Sequence, residues 1–423
     1  MLRHTRRAVL ATAPIGAAAL AACGAQATES GPAPAAGPVR LLHWMHQNPA
    51  RNAAVDELIA AYKQKHPNVE IVFETLPQAT YWEKLTPALV ADAGPDSFQL
   101  PMGLTQLYFG RGQLATLDGP TAARVNDEFL PWTLDRLRRA NQIFGIPVDT
   151  QTTVLYCHDN LFAQSGLDVT KAPANWPALE QWARALHKTS GAEIQQLGIN
   201  PANPQVGCEL VLQQKLQPTP MIDPRTNKVN WDRPEALEAF EWLTTLTRQY
   251  GDPAFRDRDI WTSKVGMVAG LPVLRGQIAQ RAPDLKYTIH HFPPPAGKPA
   301  MTAASHWAWV VNKQSKVQPD AWRWITFSTS EESQGTWYRV AGDLPTRKKI
   351  VNDASWRKTR NDEVVMESLK QSKPRSWIGW DEWQAVYQGA VNRVVGGQQS
   401  ARQSLAQAAI EANEAIQRNL PPR

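Results

Sequence analysis

Seventeen tryptophans are the chemically most telling feature of this chain of 423 residues. An indole has a broad apolar face and one N–H, so burying it is costly unless that N–H finds a partner. Some of the excess packs cores, and the rest suits a ligand with flat apolar faces. Trp176, Trp182, Trp242, Trp322 and Trp324 fall in helical patterns and read as core. Trp307 and Trp309 lie two apart on a strand-like run, and at most one of them is expected to face a ligand. Trp377, Trp380 and Trp383 are spaced for helix packing as much as for ligand contact. Catalytic chemistry has little to work with. No GxSxG, HExxH, P-loop or GxGxxG arrangement occurs. Glycoside hydrolysis needs paired carboxylates across a cleft, whereas the adjacent Asp381 and Glu382 point different ways on any regular element. His43, His46, His290 and His291 lack a carboxylate or cysteine spaced to complete a metal site, and no CxxC spacing exists. No metal or cofactor is expected, and the chain is not read as an enzyme.

The elements that must position such residues alternate between strand and helix. Residues 39–45 form a strand-like run, followed by the polar break His46-Gln47-Asn48-Pro49. Val55, Leu58, Ile59 and Tyr62 then recur at helical spacing. Lys63, Lys65 and His66 suit the negative end of that helix, and Pro67 stops it. Val69, Ile71 and Phe73 alternate with Glu70 and Glu74 as a strand, giving a parallel pair with a right-handed crossover. Short strands are expected over 95–100, 142–147, 154–157 and 307–311. Helices are expected over 176–186, with Asn175 as N-cap, over 234–250 and over 320–330. Ser400 and Gln403 form a capping box opening the last helix, which carries Leu405, Ala409, Ala412, Ile416 and Leu420. The fold class is α/β, with ligand-side loops at the C-terminal ends of strands.

A hydrophobic content of 43% and a charged content of 20% are those of a soluble globular protein. The length beyond the leader suggests two to three domains. Residues 1–22 combine a basic head, a short apolar run and small residues, which is the build of a signal peptide. No later apolar run approaches a membrane span. The formal net charge is +6, and Arg3, Arg6 and Arg7 in the leader account for three of those charges, leaving about +3. That is too mild for a nucleic-acid partner. The basic clusters Arg136/Arg138/Arg139 and Arg347/Lys348/Lys349 read as solvated faces. Cys157 and Cys208 read as buried free thiols, with a disulfide as the alternative in an exported chain. Residues 23–38 are rich in Ala, Gly and Pro with nothing to bury, and read as a flexible tether.

Several motifs resemble known families. Thr5-Arg6-Arg7-Ala8-Val9-Leu10 resembles a twin-arginine export signal, with Val9 and Ala11 where Phe and Lys are usual. Leu20-Ala21-Ala22-Cys23 resembles a lipobox, which implies a lipid anchor on Cys23 at the outer side of the bacterial cell membrane. Export by the twin-arginine route implies folding in the cytoplasm, so the fold would not depend on a Cys157–Cys208 bond. The remaining motifs run in order: His66-Pro67-Asn68-Val69-Glu70-Ile71; Ala93-Gly94-Pro95-Asp96; Phe144-Gly145-Ile146-Pro147 with Val154-Leu155-Tyr156, Asn160-Leu161-Phe162, Gly166-Leu167 and Asn175-Trp176; Lys264-Val265-Gly266-Met267 with Gly270; and Lys373-Pro374-Arg375 through the terminal helix. Together they resemble the family 1 extracellular solute-binding proteins of ABC importers, the maltose-binding-protein-like branch.

The resemblance implies a two-lobed, type II periplasmic-binding-protein-like fold with a ligand cleft between lobes. The expected division is residues 39–151 plus 304–349 against 152–303 plus 350–423, with crossings near Thr150–Thr153, Ala303–Ser305 and Lys349. It implies a carbohydrate ligand, mono- to oligosaccharide, ABC permease subunits as membrane partners, and a monomer. Sugar rings present C–H faces to aromatics, and their hydroxyls need polar partners once desolvated. The candidates are Trp44, His46, Gln47, Tyr81, Trp82, Gln99, Trp261, His306, Trp307, Trp377 and Trp380. Asp149 resembles the family's hydroxyl acceptor at the first crossing. Cys157-His158 and Leu271-Pro272 depart from the family's Asn and aromatic, so the solute does not transfer with the family. The alternatives are a polyol, glycerol phosphate, polyamine or peptide binder, an extracytoplasmic carbohydrate-active enzyme, and a lipoprotein scaffold without a small ligand.

Overall fold

The structure is a computed structural model that describes residues 37–139, 142–201, 210–252, 259–374 and 380–420. Cys23, Arg6, Arg7, Cys208 and Trp377 lie outside the described residues, as does the side chain of Trp380.

Two five-stranded sheets organise the chain. The first has the order Val69–Leu76, Val39–His46, Ser97–Pro101, Trp307–Val311, Ile146–Pro147. Its first three strands are parallel, with Val39 opposite Val69 and His43 opposite Ser97, and Trp307–Val311 runs antiparallel to Ser97–Pro101. The second has the order Tyr287–His291, Val154–His158, Val265–Gly270, Glu193–Asn200, Lys188–Ser190. A small third sheet joins Ser372–Pro374, Thr302–Ser305 and Gln151–Thr152.

Several of the helices that cover these sheets start at a residue whose side chain satisfies a free backbone N–H. Asn48 accepts from the Arg51 N–H and opens the helix Pro49–Lys65, whose Ala54, Val55, Leu58 and Tyr62 are buried. Asn175 caps Trp176–Leu186, and the Ser400/Gln403 box caps Ala401–Arg418. Leu41, Met45, Trp309 and Val311 of the first sheet pack with Val55, Leu58, Trp324 and Ile325. Leu155, Ile199 and Met267 of the second pack with Trp176, Leu179, Phe240 and Ile416. Trp309 is fully buried while Trp307, two residues away on the same face but at the first position of the strand, is half-buried.

Three expectations change. Residues 142–147 do not form one strand: Gln142–Ile143 pairs with Arg138–Arg139, and Ile146–Pro147 pairs with Trp307–Val311, so the chain changes partner in between. The helix expected over 320–330 is Gln318–Ser328, because Pro319 already fits its first turn. Arg347 is not on a solvated face. It is 8% exposed, donates through Nε to the Thr329 carbonyl at 2.6 Å, pairs with Glu128 and lies over the Phe129 ring. Cys157 is a free, buried thiol.

Gly198 marks where the strand Glu193–Asn200 meets the helix Trp176–Leu186. A Cβ there would lie 1.9 Å from the Ala183 carbonyl oxygen, which is backbone and cannot swing away. Gly198→Ala is therefore expected to cost about 3 kcal/mol or more, because the helix must be displaced. Urea denaturation checks this, and a midpoint within error of the parent would contradict the close approach.

Candidate functional site

The strand Val39–His46 delivers Trp44 and His46 to the end of the first sheet, and the helix Gln78–Val90 brings Tyr81 and Trp82 beside them. Ser97–Pro101 adds Gln99, and Trp307–Val311, running the other way, adds Trp307 from its N-terminal end. The rings converge. The planes of Trp82 and Trp307 lie within 4° of parallel with centroids 6.4 Å apart. His46 sits 4.4 Å from Trp307, and Tyr81 meets Trp82 edge-on at 4.8 Å. Trp44 and Trp82 pack together on the cluster containing Tyr81 and Phe98, and both remain half-buried, so each keeps some open surface.

The polar groups beneath the rings are held by one another. His46 Nδ1–H donates to Gln99 Oε1 at 2.5 Å, and the Tyr81 hydroxyl donates to the Gln99 carbonyl at 2.8 Å. Gln47 is exposed, its backbone N–H held by the Leu76 carbonyl at 2.6 Å. His306 is 1% exposed, its ring 5.8 Å from Trp132, a half-buried indole that sequence reasoning did not select. Two ring nitrogens in this neighbourhood, Trp44 Nε1 and His306 Nε2, are buried without a hydrogen-bond partner. Trp261 stands apart from the convergent rings. It packs on the cluster of Ile260 and Ile278, under the Arg281 guanidinium at 4.7 Å.

Asp149 is already occupied by three donors. Its carboxylate takes the Trp307 N–H at 2.8 Å, Arg51 Nη2 at 2.5 Å and Gln151 Nε2 at 2.9 Å, and the residue is 1% exposed. Arg51 also forks onto Asp343, with both contacts at 2.9 Å. Sequence reasoning missed Arg51, although a cation on the same helical stripe as Val55, Leu58 and Tyr62 was a usable signal. Asp343 had no such signal, since only the fold brings it to Arg51.

Burial sets the protonation here. It lowers His43 to about 3 and His306 to about 4; His46 falls to about 3, first by burial and then by the Arg51 charge. It raises Asp343 to about 7, against the pull of Arg51 and with the push of Asp149. Below about pH 6.5 the unfolded chain protonates three histidines that the folded chain keeps neutral, and stability falls. Between about pH 7 and pH 4, Asp343 works oppositely, because the folded state holds its proton. Three groups outweigh one, so these residues together predict a loss of stability on the order of 2–3 kcal/mol per pH unit as pH drops from 6.5 towards 4. Melting temperatures across that range check the sign.

A groove of about 1020 Å³ lies elsewhere, lined by Arg275, Tyr338, Trp356 and Asp362 among others, and shares no residue with the convergent rings. No group of three or more His, Cys, Asp or Glu positioned to hold a metal is found among the described residues.

Known proteins share this architecture. A binding protein of Brucella abortus (strain 2308) is 21% identical over 373 residues, covering 86% of this chain and 90% of its own. A solute-binding protein of an ABC transporter from Thermotoga lettingae TMO, solved with alpha-D-tagatose, superposes with a TM-score of 0.77 at 20% identity, covering 89% of this chain and all of that one. An ABC substrate-binding protein of Listeria monocytogenes, solved with cycloalternan, gives 0.78 at 16% identity, covering 90% and 99%. Residues 57–362 match the family described as bacterial extracellular solute-binding protein, so the chain belongs to that family of extracytoplasmic, two-lobed binders.

Proposed function

We propose that this protein captures a carbohydrate, mono- to oligosaccharide, between its lobes and delivers it to an ABC permease. The observation that carries the ligand class is the near-parallel Trp82–Trp307 pair with His46 packed against it and Trp44 nearby. Such rings offer apolar faces to sugar C–H groups, and beside them the Trp44 N–H and a His306 ring nitrogen are buried without a partner. The sugar-bound relatives agree with this reading. Trp44, His46, Gln47, Trp82, His306 and Trp307 form the proposed contact set. Tyr81, Gln99 and Asp149 hold it in place, and Trp377 and Trp380 are candidates for the facing wall.

Lobe one is proposed to comprise residues 39–151 and 304–349, and lobe two 152–303 and 350–423. The two five-stranded sheets fall one in each set, which supports the division. Closure about the small third sheet would enclose the ligand. Residues 1–22 would direct export, with Arg6 and Arg7 as the twin-arginine pair. Cys23 would carry the lipid that keeps the binder, a monomer, beside its permease, and the mass of the mature N-terminal peptide tests that anchor.

The function is tested by heating the purified protein with mono- and oligosaccharides, polyols, glycerol phosphate, polyamines and peptides. A true ligand at a hundred times its Kd adds about 2.7 kcal/mol of stability without being consumed. Stabilisation by a polyamine or peptide alone would remove the carbohydrate reading.

A further inference from the structure

The buried charges around Asp149 do more than fill space. Arg51 comes from the first helix, Asp149 from the chain's first passage between the sheets, and Asp343 from its third. Gln151 sits among them. Its Nε2 donates to Asp149 Oδ2 at 2.9 Å and to Asp343 Oδ1 at 2.5 Å. Its Oε1 accepts the Val273 N–H at 3.2 Å, at the mouth of the helix Leu274–Arg281 beyond the second sheet. One side chain therefore joins a cluster belonging to the first sheet's lobe to a turn belonging to the second's.

The same cluster reaches the ligand platform. Asp149 Oδ1 takes the Trp307 backbone N–H at 2.8 Å, and the Arg51 guanidinium lies 5.9 Å from the Trp307 ring centroid. The facing turn is seated against the cluster by backbone contact. A Cβ on Gly276 would fall 2.5 Å from the Ala341 carbonyl oxygen, and Arg275 Nη2 donates to the Gly342 carbonyl at 3.0 Å. Segment 341–343 is thus pinned from the far lobe on one side and by Arg51 and Gln151 on the other.

We propose that Gln151 is a positioning residue for ligand capture, an interlobe latch whose amide ties Asp149 and Asp343, and through Asp149 the Trp307 platform, to the Val273 N–H of the opposite lobe. The latch rests on the lobe division proposed above and not on the identity of the solute. An amide suits this seat better than an acid or an apolar chain, because two acceptors and one donor must be satisfied at once. Opening the lobes withdraws the 271–273 turn and breaks the Gln151–Val273 bond, while the bonds within the cluster persist. The platform then stays assembled in the open state and needs no rebuilding when a solute arrives.

The test uses ligand-free protein, so an error in the solute class leaves it unaffected. Spin labels are placed at two exposed positions, Val90→Cys and Ile410→Cys, one on each lobe, with Cys23 and Cys208 replaced by serine. Dipolar spectroscopy then reads the interlobe distance. Gln151→Met is expected to raise the ratio of long to short distances about fivefold, the equivalent of one net hydrogen bond lost across the lobes. Gln151→Glu should shift the same way, since its carboxylate is repelled by Asp149 and Asp343. Distances identical to the parent's in both variants, with only the melting temperature lowered, would reduce Gln151 to a structural role and overturn the latch. Hydrogen exchange on the unmutated protein decides the matter even if neither variant folds. The Val273 amide should be protected, and exchange at the rate of a free amide overturns the proposal.

Discussion

Trp307→Ala is expected to weaken sugar binding by roughly 30- to 1000-fold, the 2–4 kcal/mol typical of a central aromatic anchor. Two features make this the largest single effect on affinity. The indole is half-buried, parallel to Trp82 and in contact with His46, so its removal opens both ring contacts at once. Its backbone N–H remains bound to Asp149 in the variant, so the fold is spared while the face is lost. Calorimetry with the sugar identified by the stability panel measures the change. A loss below about threefold, with the melting temperature of the free protein unchanged, would place the sugar away from this ring.

Arg51→Met should be the most destabilising substitution in the same neighbourhood. It strands two buried carboxylates with no cation, and breaking a buried pair from one side costs about 3–5 kcal/mol. Asp149→Asn should cost less, because it leaves Arg51 its fork onto Asp343 and removes one of two competing negative charges. The Arg51→Met penalty should shrink as pH falls from 8 to 5, since the abandoned carboxylates can then take up protons. Burial already pushes Asp343 up to about 7 with Arg51 present. Denaturant titrations at the two pH values give the ranking. An Asp149→Asn variant less stable than Arg51→Met would contradict the charge assignment.

The proposed contact residues and the cluster residues differ in how far the sequence betrays them. Trp44, Trp82 and Trp307 are candidates in the sequence because indoles beside strand ends and loops stand out against a helical or alternating background, and the fold brings them together. Strand period does not separate Trp307 from Trp309, which share a face; the structure does, burying Trp309 and leaving Trp307 half-buried at the strand's first position. Asn175, Ser400 and the helix Pro234–Tyr250 were equally legible, since capping and apolar periodicity are local. Trp261 shows the limit: its sequence surroundings resemble those of the others, yet the fold seats it on a separate core beneath Arg281. The split of residues 142–147 between two partners was hidden for the same reason, as a strand's partner is not written in its own residues.

The sequence by itself determined the class of molecule. Strand and helix in alternation and an ordered set of motifs point to an extracellular solute-binding protein, because each is a local property of the chain. Only the tertiary structure decided what Asp149 does. A carboxylate at the first crossing looks equally suited to a ligand hydroxyl or to a buried cation. Arg51, 98 residues earlier, and Asp343, far beyond it, settle its partners. Electrostatic roles depend on which charges share a low-dielectric space, and sequence distance carries no record of that.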